Sequence, residues 1–308
     1  MENDTAGDPI TGLKWTRRTI EKIAGQLQLL GIVVCSNSVA RLLRELGFSL
    51  RVNHKKLSSG CGVDRNKQFS NIAESRENFS ENGDPVISVD TKKKEMVGNF
   101  KNRGTAYSKQ PLSVHDHDFP SLADGIAIPY GVYDVAANRG SVIIGVSHDT
   151  PKFAVSAIDK WWRYDGCKRY GKSKKLLILA DCGGSNGYRS RIWKHELQKI
   201  ADRRGLSITV RHYPPGASKW NPIEHRLFSE ISKNWAGRPL DSYVTIQNYI
   251  RTTTTKSGLR VKAYLEKRQY ENGERVSDEE MKQLNIEAHA VLSQWNYTIA
   301  PRKMGSYS

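Results

Sequence analysis

The sequence predicts an α/β protein: a mixed sheet flanked by helices, preceded by a helical segment near the N-terminus. Short runs of strand character (86–90, 127–135, 141–146, 176–181, 206–211) are mixed with helix-spaced apolar stripes (153–162, 190–203, 222–234). The strands cluster first and then alternate with helices, as in a mixed sheet covered on its faces. The first 56 residues carry two short helical stripes and a basic extension.

Residues 19–30 read as a helix, because Ile20, Ile23, Ala24, Leu27 and Leu30 fall near helical spacing and Gly31 ends it. Ser36 is suited to cap a second helix over 37–46, with a stripe of Val39, Leu42, Leu43 and Leu46 and Gly47 after it. Two short helices so joined make a helix-turn-helix candidate. Arg41 and Arg44 on its polar side, with Arg51, His54, Lys55 and Lys56 beyond it, are candidate DNA contacts. A plain helical hairpin fits the same pattern. Residues 57–84 are poor in large apolar side chains and read as a linker, with one helix through Phe69, Ile72 and Phe79. The expected organisation is a DNA-binding segment (1–56), a linker (57–84) and a larger α/β domain (85–308) with a C-terminal helical extension.

Within that domain, 86–90 is the first strand, and the turn at Lys92-Lys93 leads to a second over 94–99. Residues 103–124 form a long polar loop, of a length that is usually functional or poorly ordered. The runs 127–135 and 141–146 are joined at Asn138-Arg139-Gly140 as a hairpin. A helix (153–162), a strand (176–181), a glycine-rich turn (183–187), a helix (190–203), a strand (206–211) and a helix opening at Pro222 complete the order. This order matches an RNase H-like sheet. In that arrangement the first strand lies beside the strand that follows the first helix. Asp90 and Asp181, each closing such a strand, then become neighbours.

Composition narrows the chemistry. The 308 residues carry 48 Lys and Arg against 32 Asp and Glu, a formal charge of +16, with 38% hydrophobic residues and seven Trp. Such a charge favours phosphate-rich partners. Mean hydropathy is −0.60, and the longest apolar runs, 176–180 and 32–35, fall far short of the roughly 20 residues a membrane span needs. Met1-Glu2-Asn3-Asp4 lacks the features of a signal peptide, so the expected location is the cytoplasm, at the nucleoid. Cys35, Cys61, Cys167 and Cys182 form no C-x-x-C pair, which argues against a zinc ribbon or redox motif.

Three acids stand out: Asp90, Asp181 and Glu224, the last in Trp220-Asn221-Pro222-Ile223-Glu224-His225. Carboxylates at strand ends can hold two Mg²⁺ or Mn²⁺ ions against a phosphodiester, where both attacking and leaving oxygens develop charge. A basic protein with such a pocket points to an enzyme that cuts or joins nucleic acid. Each acid also has a plainer reading. An Asp after a strand is often a turn or cap residue. Glu224, with Asn221 as N-cap and Pro222 at the first helical position, fits a capping box. Lys219 is a candidate for phosphate pairing, Trp220 for base stacking and His225 for phosphate contact, although a Trp here fits a core equally well. The 183–187 turn lacks the P-loop spacing. His115-Asp116-His117-Asp118 has no downstream partner spacing for zinc.

The run from His212 through Pro214-Pro215-Gly216 and Asn221-Pro222-Ile223-Glu224-His225 to Phe228 is far more specific than spacing. It resembles the last catalytic block of bacterial insertion-sequence transposases of the Rhodopirellula-type DDE family. The resemblance extends to Ile128-Pro129-Tyr130-Gly131-Val132-Tyr133-Asp134, Ala180-Asp181-Cys182-Gly183-Gly184-Ser185-Asn186, Asn234-Trp235-Ala236-Gly237-Arg238-Pro239-Leu240, and Trp295-Asn296-Tyr297-Thr298. It implies an RNase H-like domain in which Asp90, Asp181 and Glu224 hold divalent metal. It also implies double-stranded DNA, both transposon ends and target, as partner, and a homo-oligomer on that DNA. The expected activity is cleavage at the transposon ends and 3′-OH strand transfer. A nuclease or resolvase on the same fold, and an idle transposase-derived DNA-binding protein, share the features. Pro222 and Cys182 depart from the Lys and Gly expected there. Few residues precede Gly12-Leu13-Lys14-Trp15-Thr16, which implies a shortened DNA-binding part.

Overall fold

The computed structural model describes residues 5–7, 14–16, 19–48 and 62–302. The chain divides into two compact units, Met1–Leu57 and Ser58–Ser308.

In the first unit, β1 (Thr5–Gly7) and β2 (Lys14–Thr16) form an antiparallel ribbon. Two helices follow, α1 (Ile20–Leu29) and α2 (Ser36–Glu45). Thr19 caps α1 by accepting from the Lys22 amide at 3.3 Å. Ser36 is the first helical residue of α2 rather than its cap: Cys35 takes the cap position and makes no side-chain bond to a helix amide there. Arg41 and Arg44 are exposed on α2, Arg41 with Glu45 at 3.8 Å. Arg51, His54, Lys55 and Lys56 lie outside the described residues.

In the second unit, α3 (Gly62–Glu81) occupies most of the segment expected to link two domains. Its Ile72 is buried with Val86, Leu177 and Leu179, and Phe69 and Phe79 pack against the same cluster. An otherwise polar helix is thus held by a few apolar contacts to the sheet. The sheet strands are β3 (Val86–Thr91), β4 (Glu95–Val97), β5 (Gly125–Asp134), β6 (Arg139–Gly145), β7 (Lys175–Ala180), β8 (Ser207–His212), β9 (Arg260–Glu266), β10 (Ile286–Ala288) and β11 (Asn296–Ile299). Their order is β10-β11-β8-β7-β3-β5-β6-β9, with β4 on β5. β3 runs parallel to β7, and β7 to β8, while β5 is antiparallel to both β3 and β6. The first strand therefore lies beside the strand that follows the first helix of the domain, as expected of an RNase H-like sheet.

The remaining helices are α4 (Pro151–Trp161), α5 (Cys167–Tyr170), α6 (Arg191–Arg204), α7 (Ser229–Asn234), α8 (Tyr243–Arg251) and α9 (Asp278–Lys282). Thr150 caps α4 ahead of Pro151, and Ser190 caps α6 by accepting from the Trp193 amide at 3.2 Å. Gly205, at φ +63°, ends α6 in the left-handed conformation. The helices cover both faces of the sheet. On one, Phe153, Ile158, Trp161, Trp193 and Leu197 pack on Ile87, Val89 and Ile178. On the other, Ile223, Leu227, Phe228, Ile231 and Ile246 pack on Tyr133, Val142 and Ile144. Burial from both sides explains why β7 reads as an unbroken apolar run rather than an alternating one.

Candidate active site

Side chains alternate between faces along a strand, and this places the acids. Ile87 and Val89 point into the first core, so Val86, Ser88 and Asp90 point to the other face. On β7, Leu177 and Leu179 share that face and Asp181 continues their row. The pairing Val89↔Ala180 sets Asp90 and Asp181 side by side at the carboxyl ends of two parallel strands, where ligands of such sheets bind.

Glu224 arrives on a helix that opens at Pro222 and takes a π turn over Glu224–Phe228 before continuing as α7. A buried polar clasp ties this helix to β3. The Ser88 hydroxyl donates to the Asn221 side-chain carbonyl and accepts from the Ile223 amide at 3.0 Å. The Asn221 amide donates to the Val89 carbonyl at 3.3 Å. Asn221 is fully buried, so these bonds form where unpaired groups would be costly. The capping box expected from spacing does not form. Asn221 turns its side chain to β3, Ser88 takes over the cap, and the Glu224 carboxyl meets that of Asp90.

All three carboxyls are raised above their ordinary range. Burial, then the Asp181 charge, push Asp90 well above the ordinary carboxylate range, against the Thr91 amide that donates to it at 2.7 Å. Burial likewise raises Asp181, against lowering contacts from the Gly183 amide and the Asn186 side chain. Burial also raises Glu224, opposed by His225 and Lys92. Desolvation of the charged form is the dominant cause throughout.

Asp149 joins the group and is a residue that sequence reasoning missed. It follows β6, whose carboxyl end lies at the same edge of the sheet, and it accepts from the Thr91 hydroxyl at 3.0 Å. Its charge raises both Asp90 and Asp181. The available signal was an acid just before Thr150-Pro151. Thr150 does the capping, through the Phe153 amide at 3.2 Å, so Asp149 is free for other work.

The donor set suits a hard divalent cation, since all four groups offer oxygen. One Asp181 carboxylate oxygen is buried without a hydrogen-bond partner, the kind of orphan a cation would satisfy. Among the described residues, no three acidic, histidine or cysteine side chains are drawn in tightly enough to enclose one ion. The backbone brings these acids together without closing them round a point.

Of the other expected contacts, Trp220 and His225 lie on the segment that carries Glu224. Trp220 is 45% exposed, with the Phe69 ring at 5.6 Å and cations above it from Lys219 (4.1 Å) and Arg65 (4.8 Å). It is a partly covered bridge to α3 more than an open stacking platform. His225 is exposed and its ring contacts the Lys219 carbonyl. In the polar loop, His117 pairs with Asp116 at 3.1 Å and stacks on Phe119.

Fold similarity is broad and distant. Similar solved structures include a Mos1 transposase paired-end complex with the left transposon end, at 14% identity and TM-score 0.43, covering 76% of this chain and 65% of that one. They also include a Mos1 mariner paired-end complex with Mn, at 16% identity and TM-score 0.44 over 76% and 65% of the two chains. The Mos1 strand transfer complex gives 16% and 0.44 over 76% and 64%. This chain thus spans about 65% of the first of those solved chains. No curated protein matches it. The sequence profile of one family, described as the Rhodopirellula transposase DDE domain, matches residues 1–301. With that match running through both units and every strand of the sheet, the chain belongs to the Rhodopirellula transposase DDE domain family.

Proposed function

We propose that this protein is a metal-dependent DNA transposase whose working acids are Asp90, Asp181 and Glu224. The observation that carries the reading is their convergence. Two adjacent parallel strands and a helix clasped to one of them deliver three carboxylates to one edge of the sheet, in a chain of net charge +16.

Two Mg²⁺ or Mn²⁺ ions bound there would supply charge stabilisation to the attacking and leaving oxygens of a phosphodiester. Asp90, whose carboxyl feels both of the others, would hold the ions together with Asp181 and Glu224. Ser88 and Asn221 hold Glu224 in place, and Asp149 orients Thr91 and adds negative charge at the rim. Arg41, Arg44, Arg51, Lys55 and Lys56 contact DNA from the first unit, and Lys219, Trp220 and His225 from beside the site. The first reaction cuts the transposon end. The freed 3′-hydroxyl then attacks a target phosphodiester, displacing a target 3′-oxygen. Joining two ends requires a homo-oligomer on double-stranded DNA, at the nucleoid.

The test uses pre-cut duplexes carrying the ends of the element that encodes the chain, a target plasmid, and Mg²⁺ or Mn²⁺. Covalent end-to-plasmid products are expected. Plasmid nicking without joining would leave a nuclease, and no metal-dependent cutting of either DNA would refute the enzyme. A second expectation concerns Asp149. Asp149→Asn should keep the fold and weaken Mn²⁺ binding by about 10–100-fold, read by calorimetric titration. Unchanged affinity would reduce Asp149 to a lock on Thr91.

A further inference from the structure

A cavity of about 930 Å³ opens on the side of Glu224 away from Asp181's glycine-rich turn, between the β3–β4 turn and the helix that ends in α7. Its rim is cationic. Lys93, Lys94, Lys101 and Arg103 all line it and all are exposed. None of the four makes an ion pair among the described residues, whereas the fifth cation, Lys92, is buried and bonded to Glu95 at 2.9 Å. Four solvated positive charges around one concavity outweigh the exposed Asp118 and the half-buried Glu224 on its wall and suit a polyanion.

The cavity is built, not incidental. The Asn102 side chain donates to the Trp235 carbonyl at 3.0 Å, and the Gly237 amide donates to the Arg103 carbonyl at 2.9 Å. A Cβ on Gly104 would lie 2.7 Å from the Ala236 Cβ, and Gly237 sits at φ +70° against Thr105 and Ala106. The segment bearing Lys101 and Arg103 is thereby keyed to the end of α7. The aromatic groups of the cavity are spent on the protein: Lys92 covers the Trp235 ring at 4.4 Å, Phe100 is buried against His115, and Phe228 is buried in the core. Open stacking surfaces, the usual means of holding bases, are therefore missing from these groups while phosphate partners abound. A volume in the range of about 300–1,000 Å³ that encloses small ligands accommodates a short stretch of one strand, not a duplex.

We propose that this cavity binds the sugar–phosphate backbone of a single DNA strand beside the reacting phosphodiester, through Lys93, Lys94, Lys101 and Arg103 and without reading its bases. Resting on the transposase reading, the strand is that of the target, the DNA that changes from one insertion to the next while the transposon ends stay the same. The strand's phosphates lie along the rim, and Glu224 meets the one that enters the acidic edge.

The test measures binding without catalysis, so it does not depend on whether the chain cuts or joins DNA. Fluorescence anisotropy with a mixed-sequence 20-nucleotide single strand, in EDTA, is followed across salt concentration. Each neutralised phosphate on a single strand contributes about 0.7 to the slope of log affinity against log salt. The variant Lys93→Gln/Lys94→Gln/Lys101→Gln/Arg103→Gln is expected to lower that slope by about 2–3 and affinity at 0.1 M salt by about 10²–10³-fold. A control, Lys168→Gln/Lys172→Gln/Lys174→Gln/Lys175→Gln, removes the same charge near the opposite end of β7 and should change the slope by less than about 1. Equal loss in both variants, or no loss in the first, overturns the proposal. So does a preference of more than about tenfold between oligo-dT and oligo-dC of equal length, roughly 1.4 kcal/mol.

Discussion

Asp90→Asn is expected to reduce Mg²⁺-dependent cleavage by about 10³-fold or more while leaving the protein as stable as before, or more so. The loss follows from the several kcal/mol of charge stabilisation that the proposed metal site would supply, at about 1.4 kcal/mol per factor of ten. The gain follows from the electrostatics of the cluster. Asp90 is desolvated and faces Asp181 and Glu224, which push its pKa up to about 8. A raised carboxyl contributes its stability in full in acid and loses it as the pH climbs from the ordinary carboxylate range through that raised value. In EDTA, the native protein should therefore melt at progressively lower temperature between about pH 5 and pH 8, and Asp90→Asn should flatten that trend. Mg²⁺ should raise the melting temperature of the native protein by mass action and do so far less for the variant. A variant that keeps more than a tenth of the activity, or that melts much lower in EDTA, would contradict the role given to Asp90.

Gly131→Val is expected to disable the site from the far side of the helix. Gly131 lies on β5 directly opposite Asp90 in the register. A Cβ there would come within 2.6 Å of the Phe228 ring and 2.8 Å of Ile223 Cδ1. Both side chains are buried and flank Glu224 in sequence, so neither can swing away cheaply. Overpacking of this kind costs about 1–3 kcal/mol. A displacement of about 1 Å in a positioned group can cost about 10²-fold in rate. Urea denaturation and plasmid nicking should register both, and Gly131→Ala should produce a smaller change of the same sign. Activity within about threefold of native for Gly131→Val would show that Glu224 is not held by this seat.

The acids differ in how plainly the sequence announced them. Asp90 was legible because it closes an apolar run, and Asp181 because its strand is one of the least ambiguous in the chain. Their adjacency needed only strand order. Glu224 was visible for its motif and ambiguous for its spacing. The deciding fact, that Ser88 and not Asn221 caps the helix, is a contact across 135 positions between Ser88 and the Ile223 amide and leaves no local trace. Ser88 itself, a hydroxyl inside the buried run Val86-Ile87-Ser88-Val89, was the one hint available. Asp149 was hidden beside Thr150, which caps α4. The segment through Phe69, Ile72 and Phe79 read as a linker because its polar face dominates its composition. The strands β9, β10 and β11 were not foreseen at all. They lie at the margins of the sheet, where polar outward positions such as Arg260 and Lys262 dilute the apolar signal.

Those marginal strands have a consequence for biosynthesis. All three acids have been synthesised once residue 224 is added, yet β6 stays unpaired on its outer side until β9 arrives at Arg260–Glu266, and β8 until β11 arrives at Asn296–Ile299. At about 5–20 residues per second, that interval lasts several seconds. During it the nascent chain presents two bare edges, a template for pairing with other chains. A message truncated beyond residue 224 but before 260 would therefore yield aggregation-prone protein in place of an unregulated nuclease. The late strands make completion of the polypeptide a condition for closing the sheet on which the acidic edge is built.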